Sequence, residues 1–196
     1  MKTPTDISGI RNITISGRIG AGATTLAKKL ALELNWNLLE GGEIFEKIHR
    51  KLNISQVDVL QRPDSFDLNF EAQIEKTLSE EKHQIIQSHL AGFDAQGIDG
   101  VFKILVICRD EEGDDKADIR IDRLMNRDGA PLEEAKHEIL EREKEMLEKF
   151  RKLYAGNNPN WVYWDSKYYD LTVNTYSHNQ EEALRFTLKK IGYKKI

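Results

Sequence analysis

A glycine-rich segment between an apolar run and an amphipathic stretch constrains the fold of this chain more than any other feature. The segment consists of Gly17, Arg18, Ile19, Gly20, Ala21, Gly22, Ala23, Thr24 and Thr25. Residues 12–16 before it have the composition of a buried strand, and residues 23–34 after it have the periodicity of a helix. Glycines at such a junction let backbone N–H groups turn inward, and the positive end of the helix then faces a bound anion. The segment predicts a phosphate-binding loop, with the Thr24 hydroxyl placed to hold a magnesium ion.

The lysine that usually follows the last glycine of such a loop is missing, because Ala23 occupies its position. That lysine normally places a positive charge at the transferred phosphate. Arg18 lies inside the loop and is a candidate replacement, although it is equally compatible with a side chain that points into solvent. The alternative interpretation is a glycine turn between strand and helix in some other α/β protein.

The rest of the chain alternates short apolar runs with longer amphipathic stretches, which predicts an α/β fold with a parallel sheet covered by helices on both faces. Expected strands lie at about 12–16, 37–39, 84–87, 102–108 and 171–174, and expected helices at about 23–34, 42–51, 67–81, 131–154 and from 180 onward. Residues 102–108, the most apolar run, predict a fully buried central strand. The 196 residues are expected to form one domain.

Composition narrows the partners and the compartment. The net charge of −4 comes with acids and bases mixed along the chain, so we expect no nucleic-acid partner. The apolar runs are shorter than the roughly 20 residues of a membrane helix, and the one cysteine, Cys108, has no partner for an internal disulfide. We expect a cytoplasmic monomer without membrane contacts or a zinc site.

A second source of positive charge lies at Arg120, Arg123 and Arg127. Their i, i+3, i+7 spacing places them on one face of a helix. Arginine suits phosphate because its planar fork of donors is permanently charged. The alternative is a solvated helix whose charges are balanced by Asp122, Asp128 and the acidic residues 111–115.

Six segments, in this order, resemble the cytidylate kinase family, especially its shorter archaeal-type branch. They are ITISGRIGAGATT at 13–25, GGEIF at 41–45, SHLAGF at 88–93, RIDRLMNRDG at 120–129, EREKEM at 141–146 and YYDLTVNT at 168–175. The resemblance covers most of the chain. In that branch the loop often reads G-x-G-T-T, so the family already tolerates threonine at the lysine position.

The resemblance implies a P-loop NTPase fold with a five-stranded parallel sheet, an acceptor-binding part at about 42–82 and an arginine-bearing lid at about 111–131. It also implies phosphoryl transfer from ATP, with Mg2+, to CMP or dCMP. Residues 17–25 would hold the donor phosphates, with Thr24 near magnesium, and Arg120, Arg123 and Arg127 would contact the phosphates from the lid. Asp165 and Asp170 would help to hold the acceptor nucleoside, unless both carboxylates simply accept backbone amides in a turn.

Two departures from the family pattern affect the acceptor side. Glu46 stands where the family has an arginine, and Gln87-Ser88-His89 stands where the family has E-G-R. Both of those arginines grip the acceptor phosphate in the family. Arg50, one turn beyond Glu46, and His89, which can donate a hydrogen bond and carry partial charge near neutral pH, are the candidate substitutes.

The residues therefore leave three functions open. The first is an active nucleoside monophosphate kinase for cytidine nucleotides. The second is a nucleotide-binding protein with little turnover, suggested by Ala23, Glu46 and His89. The third is a kinase of another small acceptor, suggested by the altered acceptor residues.

Overall fold

Five parallel strands form a single sheet. The computed structural model describes residues 3–52 and 59–194, apart from the side chains at 46, 48, 49, 51, 52, 59 and 128. The strands are β1 (Asn12–Gly17), β2 (Asn37–Glu40), β3 (Gln84–Gln87), β4 (Val101–Ile107) and β5 (Leu171–Asn174). They pair in parallel in the order β2-β3-β1-β4-β5. The predicted five-stranded parallel sheet is confirmed.

Helices cover both faces of this sheet. Within the described residues they are α1 (Ala23–Leu34), α2 (Gly41–Leu52), α3 (Asp64–Glu80), α4 (Ala91–Asp94), α5 (Ala117–Asp128), α6 (Leu132–His137), α7 (Glu143–Tyr154) and α8 (Gln180–Lys190). Neighbouring side chains of β3 show the two faces, since Ile85 packs in the core with α1 and α8 whereas Ile86 packs with α3 and α4. No helix in the described part of the chain is long and apolar enough to cross a bilayer.

Strand β1 lies in the middle of the sheet and is buried along its whole length. From β1 the chain first builds β2 and β3 on one side, and then crosses to β4 and β5 on the other. In open parallel sheets a crevice forms at the carboxyl ends of the strands where the strand order reverses in this way, and ligands bind there. The glycine-rich segment follows β1 directly, so the fold places it at this crevice.

Two predicted elements differ from the structure. The apolar run at 102–108 is neither central nor fully buried, because β1 occupies the centre and the short edge strand β5 pairs only with Ile104–Ile107 of β4. The single helix expected at 131–154 is divided by a π-helical turn, Glu138–Arg142, between α6 and α7. Such turns add a residue to the helical repeat and often occur at functional sites.

The packing of α3 against α4 buries two carboxyl groups, those of Glu71 and Asp94. Burial raises the pKa of Glu71 well above its usual value, and a hydrogen bond to Asp94 raises it further. Burial also raises the pKa of Asp94, to about 6, although the bond from Glu71 opposes this shift. Both pKa values are raised, so the buried pair holds protons more tightly than two exposed carboxyl groups would. The negative charges of Asp67 and Glu75 favour protonation of the pair, and Arg62 opposes it.

This pair predicts a pH-dependent stability. Because the folded pKa of Asp94 is raised, the native state binds more protons than the unfolded chain between about pH 4 and pH 6. The stability contributed by the pair is therefore present below about pH 4 and is lost as the pH rises through about 6. Asp94→Asn removes this loss. The difference in free energy of unfolding, variant minus wild type, should therefore increase by about 2 kcal/mol between pH 4 and pH 8.

Urea unfolding at a series of pH values measures this difference. Asp99→Asn, at an exposed carboxyl, is the control and should follow the wild-type curve. Parallel pH profiles for Asp94→Asn and wild type would show that Asp94 titrates normally in the folded protein.

Candidate functional site

The phosphate loop, residues 17–25, has the conformation that its glycines predict. Gly20 and Gly22 adopt positive φ angles of 74° and 102°, which favour glycine. A Cβ on Gly20 would lie 2.7 Å from the carbonyl oxygen of Arg120, and one on Gly17 would lie 2.8 Å from that of Val106. The loop is therefore packed tightly between α5 and β4, and α1 begins at Ala23 directly after it.

The outer side of the phosphate loop is held by hydrogen bonds to its carbonyl groups. Three successive carbonyls accept these bonds: Ile19 O from Arg120 Nη1 (2.7 Å), Gly20 O from Arg123 Nη1 (3.5 Å), and Ala21 O from Thr175 Oγ1 (2.7 Å) and Arg123 Nη1 (3.4 Å). Arg123 also donates to the hydroxyl and carbonyl oxygens of Thr175, both at 2.8 Å. Two predicted lid arginines thus contact the loop itself.

Arg18 and Arg120 belong to a closed ring of four charges, completed by Asp115 and Glu143. Glu143 accepts from Arg18 Nε at 2.8 Å and from Arg120 Nη1 at 2.9 Å, and Asp115 lies 3.1 Å from Arg18 Nη1 and 2.7 Å from Arg120 Nη2. Glu143 also accepts the backbone N–H of Ile19 at 3.2 Å. This charge ring ties the phosphate loop to α5 and α7.

The charge ring decides what Arg18 and Arg120 can do in this conformation. Arg120 is only 1% exposed, so its side chain does not reach a ligand. Arg18 is bound by the two carboxylates and its guanidinium lies 4.6 Å from the ring centre of Trp164. It therefore neither points into solvent nor takes the place of the missing lysine. Arg127 is exposed in the last turn of α5, one turn beyond Arg123.

Thr24, the predicted magnesium ligand, lies in the first turn of α1 at the carboxyl edge of the sheet. Its hydroxyl donates to Gln87 Oε1 at 3.3 Å, at the end of β3. Two neighbouring oxygen atoms suit Mg2+, which prefers hard oxygen ligands and takes further ligands from substrate phosphates and water. The residues fit the ion, although both oxygens are uncharged.

His89 behaves differently from its prediction. Burial lowers its pKa to about 4, and the charges of Arg142 and Arg62 lower it further, so the imidazole is neutral at pH 7. Its Nδ1 lies 3.0 Å from Gly17 O, which only accepts, so we assign the proton to Nδ1. The Nε2 atom then has a lone pair and no proton. The expected donated hydrogen bond and partial charge toward a phosphate are therefore wrong for this conformation.

Arg142 lies in the π-helical turn near His89. Its Nη1 pairs with Glu138 Oε2 at 2.5 Å. Its Nε is buried and has no hydrogen-bond partner within the described residues. Of the other acceptor-side candidates, Arg50 is exposed in α2, and the side chain of Glu46 lies outside the described part of the chain.

Asp165 and Asp170 both bind backbone amides. Asp165 accepts the N–H of Lys167 at 3.1 Å and caps a short 3-10 helix, Ser166–Tyr168. Asp170 accepts the N–H of Lys103 at 2.8 Å, beside the middle of β4 and before β5 begins. The turn interpretation describes their present contacts, and a role in holding the acceptor nucleoside stays a prediction.

Sequence reasoning missed Glu143, Asp115 and Thr175 as parts of the site. Each lies in a segment that drew attention for another reason, namely the EREKEM run, the acidic stretch 111–115 and the YYDLTVNT segment. The mixed charges around Glu143 predict a solvated helix, whereas Glu143 is 4% exposed. The residue spacing held no signal for its pairing with Arg18, because 125 positions separate the two.

Comparisons of the sequence with known proteins identify its family. The model of the cytidylate kinase-like family matches residues 12–177. A cytidylate kinase of Ignicoccus hospitalis is 31% identical over 182 residues, which cover 91% of this chain and 97% of that protein. A cytidylate kinase of Haloarcula marismortui is 28% identical over 182 residues, covering 91% and 88%.

Solved structures support the fold. An uncharacterized protein from Eubacterium ventriosum superposes with a TM-score of 0.61 at 22% identity, covering 94% of this chain and 99% of that one. A gluconokinase from Sinorhizobium meliloti gives a TM-score of 0.55 at 13% identity, covering 93% and 91%. The match over residues 12–177 shows that this chain is a kinase of P-loop fold and belongs to the cytidylate kinase-like family.

Proposed function

We propose that this kinase transfers the γ-phosphoryl group of ATP, with Mg2+, to CMP or dCMP. The observation that carries the proposal is the phosphate loop, which opens α1 at the crevice of the sheet in a chain of this family. Loop amides and the first turn of α1 bind the donor phosphates. Thr24 and Gln87 would hold Mg2+, which would neutralise charge on the donor phosphates.

Chemistry here needs positioning and charge more than a side-chain nucleophile. An oxygen of the acceptor phosphate attacks the γ-phosphorus in line, the bond to the bridging oxygen breaks, and ADP leaves. Arg123 and Arg127 are the proposed positive charges on the donor side, where negative charge builds up in the transition state, and Arg120 supports the phosphate loop from behind. Arg50, Asp165 and Asp170 stay assigned to the acceptor nucleotide as proposals.

Arg142 is the proposed anchor of the acceptor phosphate. It lies near His89, which replaces a family arginine and is neutral. Its unpartnered, buried Nε and its single ion pair with Glu138 leave donors for an anion. His89 then serves to hold the carbonyl of Gly17 and not to bind phosphate.

A weakly active nucleotide-binding protein, or a kinase of another acceptor, is the second candidate. The neutral His89 and the acidic Glu46 favour it, because each stands where the family pattern has an arginine that grips the acceptor phosphate. Ala23 at the lysine position points the same way.

Turnover with a panel of acceptors separates these functions. Coupled ADP release with CMP, dCMP, UMP and AMP should be fastest with CMP or dCMP, and the product should be the matching diphosphate. If calorimetry detects ATP binding but none of the four acceptors leads to ADP release, the protein is a nucleotide-binding protein and not a kinase of these acceptors. ADP release only with UMP or AMP would identify a kinase of another acceptor.

Arg142→Gln tests the acceptor anchor. Loss of a charged hydrogen-bond donor should raise KM for CMP by about tenfold or more, whereas KM for ATP should stay unchanged. Lys144→Gln, at an exposed position two residues away, is the matched control and should behave as wild type. Equal KM values for CMP in Arg142→Gln and wild type would reject the role.

A further inference from the structure

The outward carbonyls of Ile19, Gly20 and Ala21 determine where the loop's N–H groups point. In a planar trans peptide the C=O and the following N–H point in opposite directions. Ile19 O faces Arg120, and Ala21 O faces Thr175 and Arg123, so the N–H groups of Gly20 and Gly22 point away from these donors. The N–H of Ala21 binds Arg18 O at 3.0 Å and closes the turn. The donors that bind the loop carbonyls, on what we call the back of the loop, thus leave the N–H groups of Gly20 and Gly22 available to a phosphate on the opposite side.

The donors on the back of the loop are mostly guanidinium groups. A charged donor on a peptide oxygen polarises that peptide, so its N–H becomes a stronger donor on the opposite side. Arg120 acts in this way on the Ile19–Gly20 peptide, and Arg123 acts on the two peptides that follow. The arginines therefore act on the phosphate site by polarising the loop peptides, although Ala23 offers no charge in front of the loop.

Glu143 holds this arrangement in place. It accepts from Arg120 and from Arg18, and it accepts the N–H of Ile19. Asp115 joins the same two guanidiniums from the lid side. One nearly buried carboxylate thus fixes both the position of Arg120 and the first half of the loop.

We propose that Arg123 and Glu143 are positioning residues for nucleotide binding, acting through the peptide groups of the phosphate loop and not by touching the nucleotide. The two residues position the amides that bind the α- and β-phosphates, which ATP and ADP have in common. This inference rests on the proposed function for the identity of the nucleotide, and it goes beyond it by assigning Arg123 to the loop instead of to the transferred phosphoryl group.

ADP binding distinguishes the two roles of Arg123, because ADP lacks the γ-phosphate. Arg123→Gln should weaken ATP and ADP to a similar extent, by about tenfold or more, when each Kd is measured by calorimetry without acceptor. Arg123→Lys, which keeps a charged donor, should lie between wild type and Arg123→Gln. Unchanged ADP affinity with weaker ATP binding or lower kcat would place Arg123 on the γ-phosphate and overturn the proposal. Asp122→Asn, at the exposed neighbouring position, is the control.

Glu143→Gln tests the second residue. It should also weaken ADP and ATP together by about tenfold, with KM for the acceptor unchanged, and Glu143→Asp should restore part of the affinity. Glu141→Gln, exposed on the same helical stretch, is its control. Wild-type ADP affinity in folded Glu143→Gln would refute the assignment. Should this variant melt below the assay temperature, Arg123→Gln alone decides the proposal.

These measurements separate this inference from the proposed function. They need nucleotide binding and no turnover. A wild-type protein that binds ADP, loses affinity on Arg123→Gln, and phosphorylates no monophosphate would support the positioning role while rejecting the kinase assignment to CMP. A protein that turns over CMP with unchanged ADP affinity in both variants would do the reverse.

Discussion

The carboxylate of Glu143 is the interaction on which the geometry of the candidate site depends. It is nearly buried, and it meets two guanidiniums and one loop amide. A buried carboxylate is costly in free energy unless it is paired and hydrogen-bonded, and here three donors and a second carboxylate, Asp115, balance the charges. Breaking such a cluster by removing one partner typically costs about 3–5 kcal/mol, because the remaining charge stays buried. The loop, α5 and α7 therefore hold one another in a single arrangement.

In the proposed function, this arrangement lets the phosphate loop work with alanine at the lysine position. A lysine places a mobile ammonium in front of the phosphates, whereas Arg120 and Arg123 bind the back of the loop, where they do not compete with the ligand for space. Their attraction for the phosphates would be screened less than it is across bulk water, because peptide groups and not solvent lie between the guanidiniums and the anion. Gly20 is part of the same solution, because a Cβ there would push α5 away from the loop.

The sequence predicted those features that depend on neighbouring residues. The glycine spacing, the strand before it and the helix after it were enough to place residues 17–25 at the edge of a parallel sheet, and the i, i+3 spacing placed Arg120 and Arg123 on one helix. Features that depend on distant pairs were not predictable in this way. Arg120 was expected to face a ligand, but its burial is set by Glu143, 23 residues away, and the proton position of His89 is set by Gly17, 72 residues away. Charge alone did not distinguish the buried Glu143 from its exposed neighbour Glu141.

The acceptor side follows a different physical logic from the donor side. His89 and Gln87 are both neutral where the family pattern has charged residues, so the arginines that remain near the site face less competition from carboxylates and less repulsion from one another. Arg120 meets two carboxylates at once, whereas Arg142 meets one, Glu138, on its own helical stretch. One ion pair within a helical stretch holds a guanidinium less firmly than two carboxylates from separate elements, and a phosphate dianion can bind the guanidinium through charged hydrogen bonds. In its proposed role Arg142 can therefore exchange Glu138 for an acceptor phosphate, while Arg120 cannot leave the charge ring without depriving the buried Glu143 and the partly exposed Asp115 of a partner.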